Sequence, residues 1–117
     1  MQHAKQNRTL GRSRAQRTAL LRGLAISLIR DGKIVTTEAK AKELRPFIER
    51  LITTAKTDSV ANRRRISSKL GEGQQTIVAK LFATIAPTHA ERPGGYTRII
   101  KMGRTAAGRD EALIEIV

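Results

Sequence analysis

The chain has 117 residues, which is enough for one domain with a modest core. Its 23 Lys and Arg against 10 Asp and Glu give a formal net charge of +13, while hydrophobic residues make up 39%. The sequence contains no cysteine, which excludes disulfide scaffolds and thiolate metal sites. We therefore expect a globular but strongly cationic domain whose partner is a polyanion, with nucleic acid a better candidate than a membrane surface.

Positive charge is concentrated toward the two ends of the chain. Residues 1–30 contain seven basic residues and no acidic one, whereas residues 31–58 contain six basic and five acidic residues. Residues 1–12 also lack any apolar period. We expect a basic N-terminal arm over residues 1–12 that becomes ordered on its partner, followed by a single globular domain over residues 13–117. A frayed terminus would have the same composition.

A capping box predicts that the first helix begins after Ser13, because Gln16 follows three residues later. Leucines then recur at helical spacing until Gly32 ends the helix. The side opposite the leucines carries small residues with Arg22 and Arg30, and it is either a phosphate-facing surface or an ordinary solvated face. The helix is too short and too charged to span a membrane and no signal peptide precedes it, so we expect a cytoplasmic protein.

Residues 33–37 are rich in β-branched side chains, which predicts a strand leading to Thr37 as the cap of a second helix. That helix is expected over residues 38–56, with a kink or a break at Pro46, because proline removes a backbone donor. Its apolar stripe, predicted to face the core, consists of Ala41, Leu44, Phe47, Ile48, Leu51, Ile52 and Ala55. Two pairs of opposite charge four residues apart indicate its solvent face: Glu38 with Lys42, and Arg45 with Glu49.

Asp58 or Ser59 can cap a third helix that ends near residue 70, before Gly71. Helical geometry places its apolar residues on one side: Val60, Ile66 and Leu70, with the stem of Arg63 covering apolar surface among them. Arg65 and Lys69 lie one turn apart on the other side, which makes them the better RNA-binding candidates.

A fourth helix is predicted over residues 74–86, stopped by Pro87. Two strands follow, over residues 96–102 and 112–117, and a hairpin is their simplest arrangement. The link between them is too long for a tight turn, and it couples Arg104 and Arg109 with glycines that permit close approach of the backbone. We expect this loop to contact RNA, and the alternative is a flexible tip.

Nothing in the sequence is typical of catalysis. His3 lies in the arm and His89 in a loop, and neither has a metal-ligand or triad partner at a recognisable spacing, so we expect both at the surface or against RNA. The glycine-containing segments at residues 71–73 and 94–95 lack the remaining residues of a phosphate-loop pattern. We expect no enzyme, no catalytic residue, no metal or cofactor, and no small-molecule substrate.

Aromatic residues make up only 3% of the chain, and both Phe47 and Phe82 fall on predicted core stripes. Base stacking therefore cannot dominate recognition, and Arg and Lys contacts with phosphates and 2′-hydroxyls remain. Two other hypotheses are weaker. A DNA-compacting nucleoid-type protein would need polar base-reading residues on its second helix, where residues 74–86 are apolar. A membrane-active protein would insert the leucine face of helix one into lipid. Here that face has a whole domain to pack against, so it does not need a membrane.

Four motifs resemble the bacterial large-subunit ribosomal protein seventeen family, and the resemblance extends over nearly the whole chain. They are residues 34–46 (IVTTEAKAKELRP), 51–56 (LITTAK), 62–64 (NRR) and 94–99 (GGYTRI). The resemblance implies an α+β fold in two layers, in the order helix, strand, three helices and two strands, with a small mixed three-stranded sheet. This order agrees with the elements predicted from the residues.

The resemblance also implies a function: a structural constituent of the large (50S) ribosomal subunit that binds large-subunit ribosomal RNA and neighbouring ribosomal proteins. Such proteins lie near the exit of the peptide tunnel, in one copy per ribosome, and support assembly. The candidate RNA-binding residues are His3, Lys5, Arg8, Arg12, Arg14, Arg17, Arg22, Arg64, Arg65, Lys69, Tyr96, Arg98, Lys101, Arg104 and Arg109.

Overall fold

The computed structural model describes residues 13–117, so the predicted arm lies outside the described residues. The elements are α1 (Arg14–Asp31), β1 (Lys33–Thr37), α2 (Glu38–Ala55), α3 (Val60–Leu70), α4 (Gln75–Lys80), a π-helical turn (Leu81–Ile85), α5 (Ala86–Thr88), β2 (Thr97–Arg104) and β3 (Asp110–Ile116). The α+β class and the predicted order of elements are confirmed.

Side-chain caps determine where the first three helices begin. Ser13 accepts a hydrogen bond from the Gln16 backbone N–H, and the Gln16 side chain accepts one from the Ser13 backbone N–H, so the predicted capping box is confirmed. Thr37 and Ser59 cap α2 and α3 with their hydroxyl groups. Gly32 ends α1 in the left-handed conformation at φ +82°.

Two prolines disrupt their helices less than the sequence predicts. Helix α2 continues across Pro46 without a break. The last helical segment passes Pro87 and ends at Thr88, because the π-helical turn pairs the Ala86 N–H with the Leu81 carbonyl, five residues back. Pro87 then lies in the first turn of α5, where the missing N–H costs little.

The three strands form a sheet in the order β1-β3-β2, and β3 runs antiparallel to both neighbours. The sheet is therefore wholly antiparallel, whereas a mixed sheet was expected. β1 and β2 do run in the same direction, but β3 lies between them. The row Ile34, Ile114 and Ile99 crosses the sheet on its inner face, which packs against α1 and α2.

The predicted hairpin is present, and its strands are longer than predicted. β2 extends to Arg104 and β3 begins at Asp110, with a bulge between Lys101 and Gly103. The connecting loop covers only residues 105–109, and the Thr105 N–H donates to the Arg109 carbonyl at 2.8 Å.

The apolar stripe predicted for α2 forms the centre of the core, and Leu44, Ile48 and Ile52 are fully buried. Phe47, at the edge of this stripe, is only partly buried. Val60, predicted to share the apolar side of the third helix with Ile66 and Leu70, is 67% exposed and is not buried with them. It lies in the first turn of α3, whereas the buried Ile66 and Leu70 lie in the second half of that helix.

Candidate nucleic-acid interface

Helices α2 and α3 are held side by side by the turn that joins them. The Asn62 side-chain amide donates to the carbonyls of Thr54, at 3.3 Å, and Thr57, at 2.8 Å, which ties the first turn of α3 to the end of α2. Ile66 and Leu70 then bury the inner side of α3. The outer side of α3 consequently faces solvent next to α2.

A hollow of about 520 Å³ lies between these two helices, and we call it the α2–α3 groove. Its apolar lining comes from the partly buried Phe47 and the buried Leu51 and Ile66. Its polar lining contains no acidic residue and consists of Arg50, Thr54, Arg64, Arg65, Ser68 and Lys69. The groove therefore combines an apolar floor with a rim of cations.

The four cations of the rim, Arg50, Arg64, Arg65 and Lys69, are all exposed. None of them forms an ion pair with another residue in the range 13–117. Because no carboxylate neutralises them, their full charge is available to an anion such as phosphate.

Arg63, the neighbour of Arg64 on α3, differs from the rim cations. Its guanidinium bonds to both carboxylate oxygens of Asp58, at 2.6 and 2.9 Å, and lies 4.6 Å from the centre of the Phe82 ring. The hydrogen bond from Arg63 holds the pKa of Asp58 below its ordinary value. The stem of Arg63 was predicted to cover apolar surface, whereas in the structure the guanidinium itself lies over the Phe82 ring and is paired with Asp58.

Two arginines of α1 hold helices together. Arg17 forms an ion pair with Glu43 of α2, a carboxylate that is only 5% exposed. Arg22 donates to the carbonyl oxygens of Lys69, at 2.8 Å, and Ser68, at 3.1 Å, and so caps the C-terminal end of α3. The face of α1 with Arg22 is thus partly occupied by protein contacts.

A second hollow, between α1 and α2, continues the α2–α3 groove. Both hollows are lined by Phe47, Arg50 and Lys69, and the second one is also lined by Arg17 and Arg22. The structure therefore brings the candidates on α1 and α3 to one side of the protein. Arg14, in the first turn of α1, is exposed.

The candidate cations of the hairpin each lie near a carboxylate. Alternation along β2 places Arg98 and Lys101 on opposite faces of the sheet, so these cations do not form one surface. Their partners are Glu115 for Arg98 at 2.6 Å, Glu38 for Lys101 at 3.7 Å, Asp110 for Arg104 at 3.3 Å, and Glu111 for Arg109 at 3.7 Å. RNA binding by the hairpin stays a prediction.

Tyr96 is only 2% exposed, so its ring is not available at the surface. Its hydroxyl accepts a hydrogen bond from Thr53 at 3.2 Å, and Lys56 Nζ lies 4.7 Å from the ring centre. Lys56 and Thr53 lower the pKa of Tyr96. These contacts explain why Tyr96 is a structural residue of the core in this fold, and we leave it out of the candidate interface.

His89 is also buried, at 3% exposure, although we expected it at the surface or against RNA. Its Nδ1 lies 2.9 Å from the Ile85 carbonyl oxygen, and its Nε2 contacts the Val117 carbonyl oxygen. Its ring meets Tyr96 edge to face, with 5.6 Å between centroids. His89 therefore joins the last helical segment to the strands, a role that only long-range contacts create.

Two further observations concern chemistry and membranes. Among the described residues, no three His, Asp or Glu side chains cluster closely enough to hold a metal ion. Within the same range, no helix is long and apolar enough to cross a membrane. His3, Lys5, Arg8 and Arg12, the remaining candidates, lie in residues 1–12, outside the described range.

Arg50 and Phe47 are members of the groove that the sequence reasoning missed. Phe47 was assigned to the core as part of the α2 stripe, and Arg50 was not singled out. Their spacing offers a signal, because residues three apart lie on one side of a helix and Thr54 follows four residues after Arg50. What the spacing could not show is that α3 lies beside this flank of the stripe.

Comparisons with known proteins agree with the resemblance seen in the sequence. The family model described as Ribosomal protein L17 matches residues 20–117. The chain is also 52% identical over 118 residues to the large ribosomal subunit protein bL17 of Gemmatimonas aurantiaca. That alignment covers 100% of this chain and 98% of the relative, so the aligned region spans every element of the fold.

Proposed function

We propose that this chain, which belongs to the ribosomal protein L17 family, binds large-subunit ribosomal RNA through the basic surface of α2 and α3 and so supports assembly of that subunit. Membership of this family makes it a structural constituent of the large ribosomal subunit and not an enzyme. The ribosomal location expected from the sequence is confirmed by the same membership.

The observation that carries the RNA proposal is the difference between the two basic regions. The cations of the α2–α3 groove have no carboxylate partner within residues 13–117, whereas those of the hairpin do. A phosphate that binds the hairpin must compete with a carboxylate already in place. The groove presents its charge without that competition, so it supplies most of the electrostatic affinity of the described domain.

The same proposal includes contacts with neighbouring ribosomal proteins. It also includes a position near the exit of the peptide tunnel and one copy per ribosome. The outer face of the sheet offers a surface for a protein neighbour. Val35, Leu113 and Ile100 form a row across its three strands, and Val35 and Ile100 are 53% and 44% exposed. The adjacent Arg98 is paired with Glu115, so the charge of this arginine is neutralised beside the apolar row.

The DNA-compacting hypothesis receives less support from the fold. It requires α4 to enter a DNA groove as the second helix of a helix-turn-helix motif. Ile77 and Val78 of α4 are buried in the core, and α4 has only six residues before the π-helical turn. The helix cannot turn this face to bases without leaving the core.

The experiment compares two double variants that remove the same charge. Arg64→Gln with Arg65→Gln removes two cations of the groove, and Arg30→Gln with Arg63→Gln removes two cations that are paired with Asp31 and Asp58. Affinity for large-subunit ribosomal RNA fragments is measured over a range of salt concentrations. We expect the groove variant to reduce the slope of log affinity against log salt by about 1.5, which corresponds to two lost phosphate contacts.

The control variant should leave that slope nearly unchanged. Equal slopes for the two variants would contradict the assignment of RNA binding to the α2–α3 surface. Duplex DNA at the same salt concentrations tests the other hypothesis, because affinity for DNA equal to that for ribosomal RNA fragments would contradict recognition of folded RNA.

A further inference from the structure

We infer that the α2–α3 groove takes one unpaired RNA base, stacked on Phe47, while the rim cations bind the phosphates on either side of it. This inference rests on the proposed function, because it specifies how the same surface recognises RNA. Stacking on aromatic side chains was expected not to dominate recognition. A single base in a single groove is compatible with that expectation and adds a local contact that charge alone does not provide.

The apolar floor is the first step of the argument. Phosphate groups gain nothing from Phe47, Leu51 and Ile66, and a purely electrostatic surface does not need a hollow lined by such residues. A nucleobase has a large π face that stacks favourably on an aromatic ring, whatever its identity. Phe47 is the partly buried aromatic of this region, with part of its surface still open to the hollow.

The rim provides the second step. Arg50 follows Phe47 by one turn of α2, and Arg65 and Lys69 lie one turn apart on α3 across the hollow. A base held between the helices would therefore have cations on both sides for its flanking phosphates. Guanidinium groups can bind a phosphate through two N–H groups and can also stack on a base. The hydroxyls of Thr54 and Ser68 can donate to or accept from the edge of the base.

The size of the groove agrees with a small planar group. Its volume of about 520 Å³ lies within the range of small-molecule sites. The hollow is open to solvent and continues past Phe47 toward α1, where Arg17 and Arg22 line it together with Glu43, the partner of Arg17. An RNA strand can therefore enter along the cationic continuation and place one base over the floor.

An acidic segment of a neighbouring protein is the competing occupant, since it could also combine apolar and negative groups. The charge pattern favours RNA. The rim is wholly cationic, whereas the sheet face with Val35 and Ile100, which suits a protein neighbour, includes the ion pair of Arg98 with Glu115. A repeating polyanion matches the unneutralised rim better than a segment in which charge is limited to a few side chains.

The first test uses the unaltered full chain and two short single-stranded oligoribonucleotides that differ at one position. One has a fluorescent purine analogue there, and the other has an abasic sugar with the same phosphates. We expect the oligonucleotide with the base to bind about tenfold more tightly, and its fluorescence to change when the base leaves its neighbouring bases and enters the groove. Equal affinities would overturn the base site and leave the proposed function standing, provided that Arg64→Gln with Arg65→Gln weakens both oligonucleotides.

The second test replaces the ring. Phe47→Leu keeps an apolar floor and removes the aromatic face, so it should reduce affinity for the base-bearing oligonucleotide to that for the abasic one. Phe82→Leu is the matched control, because Phe82 is a buried phenylalanine that does not line the groove, and it should leave the base preference unchanged. A base preference that survives in Phe47→Leu, with unfolding curves confirming that the variant folds, would overturn the role of Phe47.

The third test addresses the competing occupant in assembled large subunits. A photo-crosslinking amino acid in place of Thr54, which lines the groove, should attach to ribosomal RNA after irradiation. Attachment to a ribosomal protein alone would overturn the inference in favour of a protein segment. If Arg64→Gln with Arg65→Gln also left the slope of log affinity against log salt unchanged, both the base site and the proposed function of this surface would be wrong.

Discussion

The carboxylate of Glu49 accepts hydrogen bonds from both the backbone N–H and the hydroxyl of Thr97, at 2.9 and 2.7 Å. The same carboxylate also accepts the Tyr96 N–H at 3.2 Å. The middle of α2 therefore fixes the point where β2 begins, although the two segments are far apart in the sequence. The predicted pairing of Glu49 with Arg45 is replaced by this contact, and Arg45 instead donates to the Thr97 carbonyl at 3.4 Å.

Replacing this carboxylate should destabilise the fold. Glu49→Ala leaves the N–H groups of Tyr96 and Thr97 without their acceptor, and hydrogen bonds to charged groups contribute about 1.5 to 3 kcal/mol. We expect the free energy of unfolding in urea to fall by about 2 kcal/mol. Glu91→Ala, at an exposed position, is the control and should change it by less than about 0.5 kcal/mol. Equal losses in the two variants would contradict the structural role of Glu49.

One glycine inside α1 and the glycine that caps its C-terminal end should respond in opposite ways to the same substitution. Gly23 lies inside the helix with no atom within 4 Å of an added Cβ, so Gly23→Ala should stabilise the protein by about 0.5 to 1 kcal/mol. Gly32 has equal space but a φ of +82°, so Gly32→Ala should destabilise it by about 1 to 2 kcal/mol. Thermal unfolding of both variants measures the pair. A shift of the same sign in both would contradict the left-handed cap at Gly32.

The ion pair of Asp58 with Arg63 should make stability depend on pH in the acidic range. Because Arg63 lowers the pKa of Asp58 in the folded state, the pair stabilises the protein above the ordinary aspartate pKa of about 3.9. The contribution is lost as the pH falls through the lowered pKa. The difference in urea midpoint between the unaltered chain and Asp58→Asn should therefore be present at neutral pH and vanish in strong acid. A difference that persisted there would have another origin.

RNA binding by the hairpin can be tested by removing its acids. If Arg104 and Arg109 contact phosphate, Asp110→Asn with Glu111→Gln should tighten binding to ribosomal RNA fragments, because the competing carboxylates are gone. Exposed ion pairs are weak, so we expect about a threefold gain. Glu72→Gln with Glu91→Gln changes the net charge equally at exposed sites elsewhere. The hairpin would lie outside the interface if both double variants gave the same gain.

Local sequence signals predicted the parts of the fold that local interactions create. Ser13 and Thr37 cap their helices as expected, and Ser59 is the one of two candidates that caps the third, since a cap involves residues only three positions apart. The strand over residues 33–37 is confirmed for the same reason, because its β-branched pattern is continuous. The cationic side of α3 was likewise expected from helical geometry.

Contacts between distant segments determined the rest. Nothing near His89 in the sequence indicates that its ring will lie between Ile85 and Val117, or that Tyr96 will be covered. Phe47 fits a core stripe by its spacing, and only the position of α3 shows that part of its ring faces a groove. The candidate interface was therefore predicted in its charge but not in its shape.

The central position of β3 has a consequence for how the protein is made. β1 and β2 do not contact each other, so neither has a backbone partner until β3, the last strand to be synthesised, inserts between them. The helices form from contacts between nearby residues, whereas the whole sheet must wait until β3 has been synthesised. A nascent chain that stops before residue 110 has no sheet at all, and its unpaired strands are exposed to aggregation or to quality control.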